Sequence, residues 1–326
     1  MSIQERILAG DCLALARLLT QIENEQPEGF EVLSELFPHS GQAHLLGVTG
    51  PPGTGKSTLV NRLALALRSR TQKTVAVVAV DPSSPFTGGA ILGDRIRMRD
   101  LSGDPGIFIR SMASRGALGG LARTTSAVVD ALDAAGFGWI LIETVGAGQA
   151  EVEIARTAHT TLVVEAPGLG DDVQAIKAGI LEVADLLVVN KADLPGADKT
   201  VRALQASLEM ASGERRAHGP ASAIGQSNEV WRPPVLQTVA LLGDGIHEVL
   251  DAILRHRAHL ETTGSRASRD QERLRAEVLA LLGDGLLAEF LRSREDSDLD
   301  PEMERVFARR VSPRQAVQRL LSPASQ

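Results

Sequence analysis

The sequence predicts an α/β protein: a doubly wound, mostly parallel sheet with helical extensions at its N- and C-terminal ends. Three observations predict it. Seven short apolar, β-branched runs recur between residues 45 and 239, helical stretches separate them, and the first run leads into a glycine-rich loop that opens a helix. Runs that are apolar on both faces and alternate with helices are strands of a parallel sheet covered on two sides.

Each element follows in order. Residues 3–23 place Ile7, Leu8, Leu15, Leu18, Leu19 and Ile22 at helical spacing, with Gly10 as a break and Asp11 as an N-cap, so two short helices precede the main domain. The strand candidates are Leu45–Val48, Thr74–Val80, Ile107–Arg110, Trp139–Ile142, Thr161–Val164, Leu186–Val189 and Val235–Val239. Segment 212–233 is polar and rich in Gly, Pro and Ser, and reads as a long loop. Beyond residue 262 the strand pattern stops. Asp270 to Arg294 reads as helix interrupted at Gly283-Asp284-Gly285. Ser312-Pro313 then reads as an N-cap and first helical position ahead of Ala316, Val317, Leu320 and Leu321 on one face. A tail of this size has no core of its own and should pack on the main domain or on a second copy.

The bulk numbers exclude several classes. Hydrophobic residues are 43% and charged residues 23% of the chain, ordinary for a globular protein with a sizeable core. A formal net charge of -7 argues against nucleic acid or an anionic membrane as the main partner. The 7 His do not form a metal-ligand spacing with one another or with the single Cys. Cys12 is read as a buried core thiol, and one Cys permits no internal disulfide, which suits the cytoplasm. Asp11 and Arg17 interrupt the apolar residues near the start, so no signal peptide is expected, and the apolar runs have strand length rather than membrane length.

The chemistry begins at Gly50-Pro-Pro-Gly53-Thr54-Gly55-Lys56-Ser57, which fits the phosphate-binding pattern G-x-x-x-x-G-K-[ST]. Its glycines let the backbone curl so that successive N–H groups face phosphate oxygens, and the following helix, Ser57 to about Arg68, adds its positive end to them and to Thr58. Lys56 is expected to bridge the β- and γ-phosphates and the Ser57 hydroxyl to ligate Mg²⁺. The strand before and the helix after make this a P-loop nucleotide hydrolase.

Asn190-Lys191-Ala192-Asp193 follows the strand at 186–189. A carboxylate at Asp193 can accept from both N1–H and the N2 amino group of guanine, whereas adenine would leave it unpaired. Asn190 would fix the loop and N7, and the Lys191 stem would cover the base. Amides of Thr238-Val239-Ala240 are candidates for guanine O6. Glu143, in Trp139-Ile-Leu-Ile-Glu143-Thr-Val-Gly146, puts an acid at a strand end beside the metal position, with the Gly146 N–H facing the γ-phosphate. Most regulatory GTPases carry Asp where Glu143 stands. Ala147 rather than Gln follows Gly146, and Gln149 lies two residues further, so slow hydrolysis without a partner is expected. Asp81 and Asp94 are further carboxylates near the phosphate edge, with helix capping and turn chemistry as the alternative reading.

Longer strings carry a resemblance. Val80-Asp81-Pro-Ser-Ser-Pro-Phe-Thr-Gly-Gly-Ala-Ile-Leu-Gly93-Asp94-Arg-Ile-Arg-Met98, Arg110-Ser-Met-Ala-Ser-Arg115-Gly116, Gly119-Gly-Leu-Ala122 and Glu143-Thr-Val-Gly-Ala-Gly-Gln149-Ala-Glu151 resemble the methylmalonyl-CoA mutase-associated GTPases. These are cobalamin-enzyme chaperones once described as an arginine/ornithine transport kinase. The resemblance covers residues 3–260 closely and the tail loosely. It implies a GTPase that docks on an adenosylcobalamin-dependent acyl-CoA mutase, gates cofactor loading and protects or reactivates the enzyme, with the adenosyltransferase as a further partner. It raises Asp81, Asp94 and Glu143 to metal residues beside Ser57, makes Pro167 to Lys177 a mobile switch, and implies a homodimer joined by the C-terminal helical arm. Glu165 departs from the apolar residue expected in its strand. The chain lacks an Asp-x-His-x-x-Gly cobalamin signature, so cobalamin should bind the partner and not this protein.

The expected organisation is an N-terminal helical extension at 1–40, a P-loop GTPase domain at 41–260 and a helical arm at 261–326. The catalytic set is Lys56, Glu143, Asp94 and Gln149. Three rivals are a metal-centre assembly GTPase, which would need Cys/His ligands, a GTP/ATP-dependent protein kinase of a transport system, for which no acceptor-activating signature is visible, and a nucleotide-binding scaffold with negligible turnover, which the place of Gln149 in the sequence keeps open.

Overall fold

The computed structural model describes residues 1–82, 103–114, 120–144, 154, 157–168, 183–218, 230–293 and 296–321. Elements are numbered here in chain order within that set. The strands are β1 (His44–Thr49), β2 (Val75–Pro82), β3 (Ile107–Ser114), β4 (Trp139–Thr144), β5 (Thr160–Glu165), β6 (Leu186–Val189) and β7 (Val235–Gln237). They form a 7-stranded sheet in the order β3-β2-β4-β1-β5-β6-β7, and every pairing is parallel. The predicted fold class is the observed one.

Strand ends differ from the apolar runs because pairing outlasts hydrophobicity. β4 continues past Ile142 since Glu143 and Thr144 stay in register with Ala79 and Val80 of β2. β5 likewise includes Glu165, buried and opposite Val189. β7 stops two residues early: Val239 leaves the ladder for an isolated antiparallel bridge to Asp244.

Side-chain alternation divides the sheet into two apolar faces. Leu46, Val48, Val77, Leu141, Leu162 and Val188 face Leu59, Leu63 and Leu67 of α4 (Lys56–Thr71) and Val249 and Ile253 of α7 (Ile246–Thr263). On the other side Leu45, Val78, Ile140 and Ile142 face Val128 and Leu132 of α5 (Gly120–Ala134) and Leu15 and Leu19 of α2 (Cys12–Glu23). Val163, Leu187 and Val189 of that second face meet Leu204 of α6 (Ala197–His218).

The N-terminal helices thus belong to the core layer. α1 (Ile3–Leu8) and α2 are separate as predicted, and the Asp11 carboxylate caps α2 by accepting from the N–H groups of Leu13 and Ala14 at 2.9 and 3.0 Å. Cys12 corrects the sequence reading: it sits at the first helical position and is exposed rather than buried. A third helix, α3 (Pro27–Leu36), was not anticipated; Pro27 is well suited to the first turn it occupies. The segment from 41 to 43 is tied down by Asp133 of α5, whose carboxylate accepts from the amides of Gly41, Gln42 and Ala43 at 2.7, 3.0 and 2.9 Å.

Two further expectations change. α6 runs to His218, so part of the expected loop at 212–233 is helical, and 219–229 lie outside the described residues. α8 (Ser265–Ser293) passes unbroken through Gly283 and Gly285. Each glycine costs a helix about 1 kcal/mol against alanine, too little to end one that long. α9 (Asp296–Phe307) and α10 (Pro313–Leu321) follow, the latter opened by a reciprocal pair: Ser312 Oγ accepts from Gln315 N–H, and Gln315 Oε1 accepts from Ser312 N–H. Of the four residues assigned to one face of α10, Ala316 is buried while Val317 and Leu321 are exposed.

Contacts divide the chain into Met1–Arg273 and Leu274–Gln326. Within the first unit the start of α8 is held by guanidinium groups: Arg266 donates to the carbonyls of residues 41–43, Arg269 to Asp185 and the His159 carbonyl, and Arg273 to Asp130. In the second unit α9 packs on α10. Among the described residues no helix is long and apolar enough to cross a membrane.

Candidate nucleotide site

β1 lies between β4 and β5, and the chain proceeds to β2 on one side and from β5 to β6 on the other. A crevice therefore opens at the C-terminal ends of the central strands, where open α/β sheets place ligands. Every described residue with a predicted role stands at that edge.

The loop after β1 is the glycine-rich one, and two of its glycines are required sterically. Gly50 has φ 138° and an added Cβ would lie 2.1 Å from the Val164 carbonyl oxygen of β5. Gly55 has φ 88° and a Cβ there would lie 2.5 Å from Asn190 Nδ2. Gly53 is also left-handed, at φ 80°. Thr54 is fully buried and its hydroxyl donates to the Pro51 carbonyl at 3.0 Å. Lys56, 5% exposed, opens α4 and folds back over the loop, its ammonium donating to the carbonyls of Gly50 and Pro51 at 2.7 and 2.9 Å. Ser57 and Thr58 share the first turn of α4 with it.

The neighbouring strand supplies the acid. Ser57 Oγ donates to Glu143 Oε1 at 2.6 Å, so residues 86 apart meet at the start of α4. Glu143 is 4% exposed. Asp81 lies one residue from the end of β2, in register with Ala113 of β3. A hydroxyl and a carboxylate within hydrogen-bond distance at a helix N-terminus form a hard-oxygen donor pair suited to Mg²⁺, which binds through one or two protein oxygens plus phosphate. Asp94, Gly146 and Gln149 lie outside the described residues, as does the switch segment beyond Gly168.

The third component follows β6. Asn190 is buried and joins three parts of the site. Its Nδ2 donates to the Thr54 carbonyl at 2.8 Å, and its Oδ1 accepts from the Thr238 hydroxyl and the Ala240 N–H, both at 3.0 Å. Lys191 adopts φ 56° and stretches its ammonium to the Gly53 carbonyl at 2.8 Å. The Asn190-Lys191 pair is therefore tied to the glycine-rich loop through side-chain bonds that span more than a hundred residues of sequence. Asp193 is exposed, in the turn beyond Ala192, whose N–H donates to the Thr238 carbonyl. The amides named for guanine O6 have protein acceptors in this arrangement: Val239 N–H donates to the Asp244 carbonyl at 3.1 Å and Ala240 N–H to Asn190.

A family model described as Methylmalonyl Co-A mutase-associated GTPase MeaB matches residues 15–295. The chain belongs to that family. This GTPase is similar to a putative GTPase of Pyrococcus abyssi, 44% identical over 317 residues, covering 97% of this chain and 94% of the relative. It is also similar to the Mus musculus protein named methylmalonic aciduria type A homolog, mitochondrial, 35% identical over 277 residues, or 85% of this chain and 64% of that one. Among solved structures, one titled LAO/AO transport system kinase superposes with a TM-score of 0.70 at 27% identity, covering 98% of this chain and 95% of its own. The resemblance read from residues 80–151 is thus the correct family, and the guanine nucleotide is its ligand.

Sequence reasoning missed Arg62, which links α4 to the loop after β7 by donating to the carbonyls of Ala240 and Leu241 at 3.2 and 2.8 Å. It had no local signal, because its partners are backbone atoms 178 and 179 residues away.

Proposed function

We propose that this GTPase docks on an adenosylcobalamin-dependent acyl-CoA mutase and that GTP hydrolysis times the loading, protection or reactivation of that enzyme. One observation carries the reading: the family matched across residues 15–295 is described as mutase-associated. The name of the mouse relative, a methylmalonic aciduria homolog, supports the same partner.

Within the site, the loop amides and Lys56 would hold the β- and γ-phosphates, and Asn190, Lys191 and Asp193 the base. Ser57, Asp81, Asp94 and Glu143 would manage Mg²⁺, which when bound neutralises charge on the phosphate oxygens. The Ser57–Glu143 pair supports this, since the serine hydroxyl is already oriented by a carboxylate at the start of α4. Lys56 reaches the loop carbonyls from a buried stem, so its ammonium needs only a small swing to meet a phosphate. Turnover without the partner is slow in this reading, because Ala147 rather than Gln follows Gly146 in the sequence. Cobalamin binds the mutase rather than this chain, and the adenosyltransferase is a secondary partner.

The test has two parts. Incubation with γ-labelled GTP should release label as inorganic phosphate; label retained on an acceptor protein would favour a kinase. Purified candidate mutases should then be captured by the chain, with different affinity in GDP and in a non-hydrolysable GTP analogue, and should raise turnover. Absence of capture in both nucleotide states across methylmalonyl- and isobutyryl-type mutases would overturn the docking proposal while leaving the GTPase intact.

A further inference from the structure

The loop from Thr238 to Gly245 is closed on itself more tightly than its length requires. Thr238 N–H donates to the Val189 carbonyl, Val239 N–H to the Asp244 carbonyl, and Ala240 N–H to Asn190 Oδ1. Gly245, at φ 76°, is fixed as glycine because a Cβ would lie 2.2 Å from the Gln237 carbonyl oxygen. These bonds consume the amides of residues 238, 239 and 240. The next amide, that of Leu241, has no acceptor among the described residues. Leu241 itself is 75% exposed, so packing of its side chain does not fix its orientation.

What does fix it comes from the helix that carries the phosphate-binding residues. Arg62, on the exposed side of α4, donates from Nε to the Ala240 carbonyl and from Nη2 to the Leu241 carbonyl. A trans peptide holds its C=O and the following N–H on opposite sides of one plane, and no cis bond occurs among the described residues. Drawing the Ala240 carbonyl toward α4 therefore turns the Leu241 N–H away from α4. A planar guanidinium is the group able to hold two successive carbonyls with separate nitrogens; an ammonium holds them as a point charge.

We propose that Arg62 is a positioning residue for base recognition: by gripping the carbonyls of Ala240 and Leu241 it presents the Leu241 N–H to guanine O6 and couples the base loop to the phosphate helix. This rests on the reading that Asp193 and its neighbours bind guanine.

The experiment compares GTP, ITP and the triphosphate of 2-aminopurine riboside by equilibrium binding and steady-state turnover. GTP and ITP carry O6; the 2-aminopurine nucleotide keeps the N2 amino group and lacks O6. Arg62→Ala should weaken GTP and ITP about five- to tenfold, the scale of one lost neutral hydrogen bond. It should leave the 2-aminopurine nucleotide unaffected and kcat at saturation unchanged. Arg62→Lys should give an intermediate loss confined to the O6-bearing nucleotides, and it replaces the alanine variant if thermal melting shows that one misfolded. Arg70→Ala, an exposed change on the same helix, should match wild type. Equal weakening of all three nucleotides would mean general support of the loop and overturn the proposal, as would unchanged GTP affinity. Asp193→Asn separates the two levels: if it leaves GTP binding untouched the base reading itself fails, whereas a shift toward XTP with a silent Arg62→Ala removes only the role of Arg62.

Discussion

Two side chains carry most of the proposed reading of the site, and both are testable singly. Asp193 sits in an exposed turn, so in the proposed reading its contribution would come from pairing with two guanine donors and not from burial. Asp193→Asn is expected to exchange an acceptor for a donor and to shift preference from GTP to XTP by about a hundredfold or more, read as the ratio of the two affinities. Unchanged GTP affinity would remove the base assignment. Lys56 is nearly buried, with its ammonium over the loop carbonyls. Lys56→Ala should lower turnover about a hundredfold or more, the scale of deleting one charge-stabilising donor. Activity surviving that change would relocate the phosphate site. Both residues were legible in the sequence because each motif is contiguous and its neighbours enforce the geometry. Asn190 was legible as a loop anchor, but its three partners were not, since they are a backbone carbonyl, a hydroxyl and an amide brought from β1 and β7.

Elements set where those residues can stand. The phosphate loop hugs β5 so closely that Gly50 has no room for a methyl group. Gly50→Ala combines a backbone clash with a disfavoured φ and should destabilise the protein by about 2 kcal/mol or more while lowering nucleotide affinity, measured by chemical denaturation and GDP titration. Retained stability and affinity would mean that β5 and the loop are not in contact. The strands were readable because apolar runs at strand length are a local signal. Their ends were not: Glu143 and Thr144 are polar by type and belong to β4 by pairing. The same limit explains the exposed thiol. Cys12 lies among apolar residues in sequence, yet α2 turns Leu15, Leu18, Leu19 and Ile22 inward and leaves its first position outside.

At the scale of the molecule, a second polar assembly lies at the opposite, N-terminal edge of the sheet. His44 of β1 and His256 of α7 share the Thr160 hydroxyl at 2.8 and 2.9 Å, and His256 Nε2 stands 3.3 Å from Asp185, which Arg269 of α8 also grips. Burial, reinforced by the neighbouring His159 ring and Arg257 guanidinium, holds the His44 pKa well below 6.5. Burial alone would raise Asp185, but hydrogen bonds from Arg269 and His256 outweigh it and bring its pKa from 3.8 to about 2. Both folded values are depressed, so both groups stabilise the fold above their unfolded values and lose that contribution on acidification. The His44 loss begins first, as pH falls below 6.5, with a slope of up to about 1.4 kcal/mol per pH unit. The Asp185 loss follows between 3.8 and about 2. The melting temperature should therefore drop between pH about 7 and about 5, and His44→Gln should flatten that drop; an equal drop in both proteins would show that His44 does not set it.

The second unit carries a different signal. Leu279, Leu282 and Leu286 of α8 are 57%, 54% and 58% exposed and recur at helical spacing. An apolar stripe of that kind fits the arm-to-arm homodimer that the family resemblance implies. Replacing Leu282 and Leu286 by Glu should yield a monomer in sedimentation while leaving GTP binding in place. A dimer that survives would place the association elsewhere.

The sequence by itself determined the strand and helix alternation, the glycine-rich loop and the family, because each is written in neighbouring residues through periodicity, backbone freedom or hydrogen-bonding type. The tertiary structure decided which of those residues meet. The strand order β3-β2-β4-β1-β5-β6-β7 brings Glu143 to Ser57, Asn190 to Thr54, and Arg62 to a loop 178 residues away. No local pattern encodes that order, since it follows from how two apolar sheet faces are covered by helices whose own sequences say only that one side must be buried.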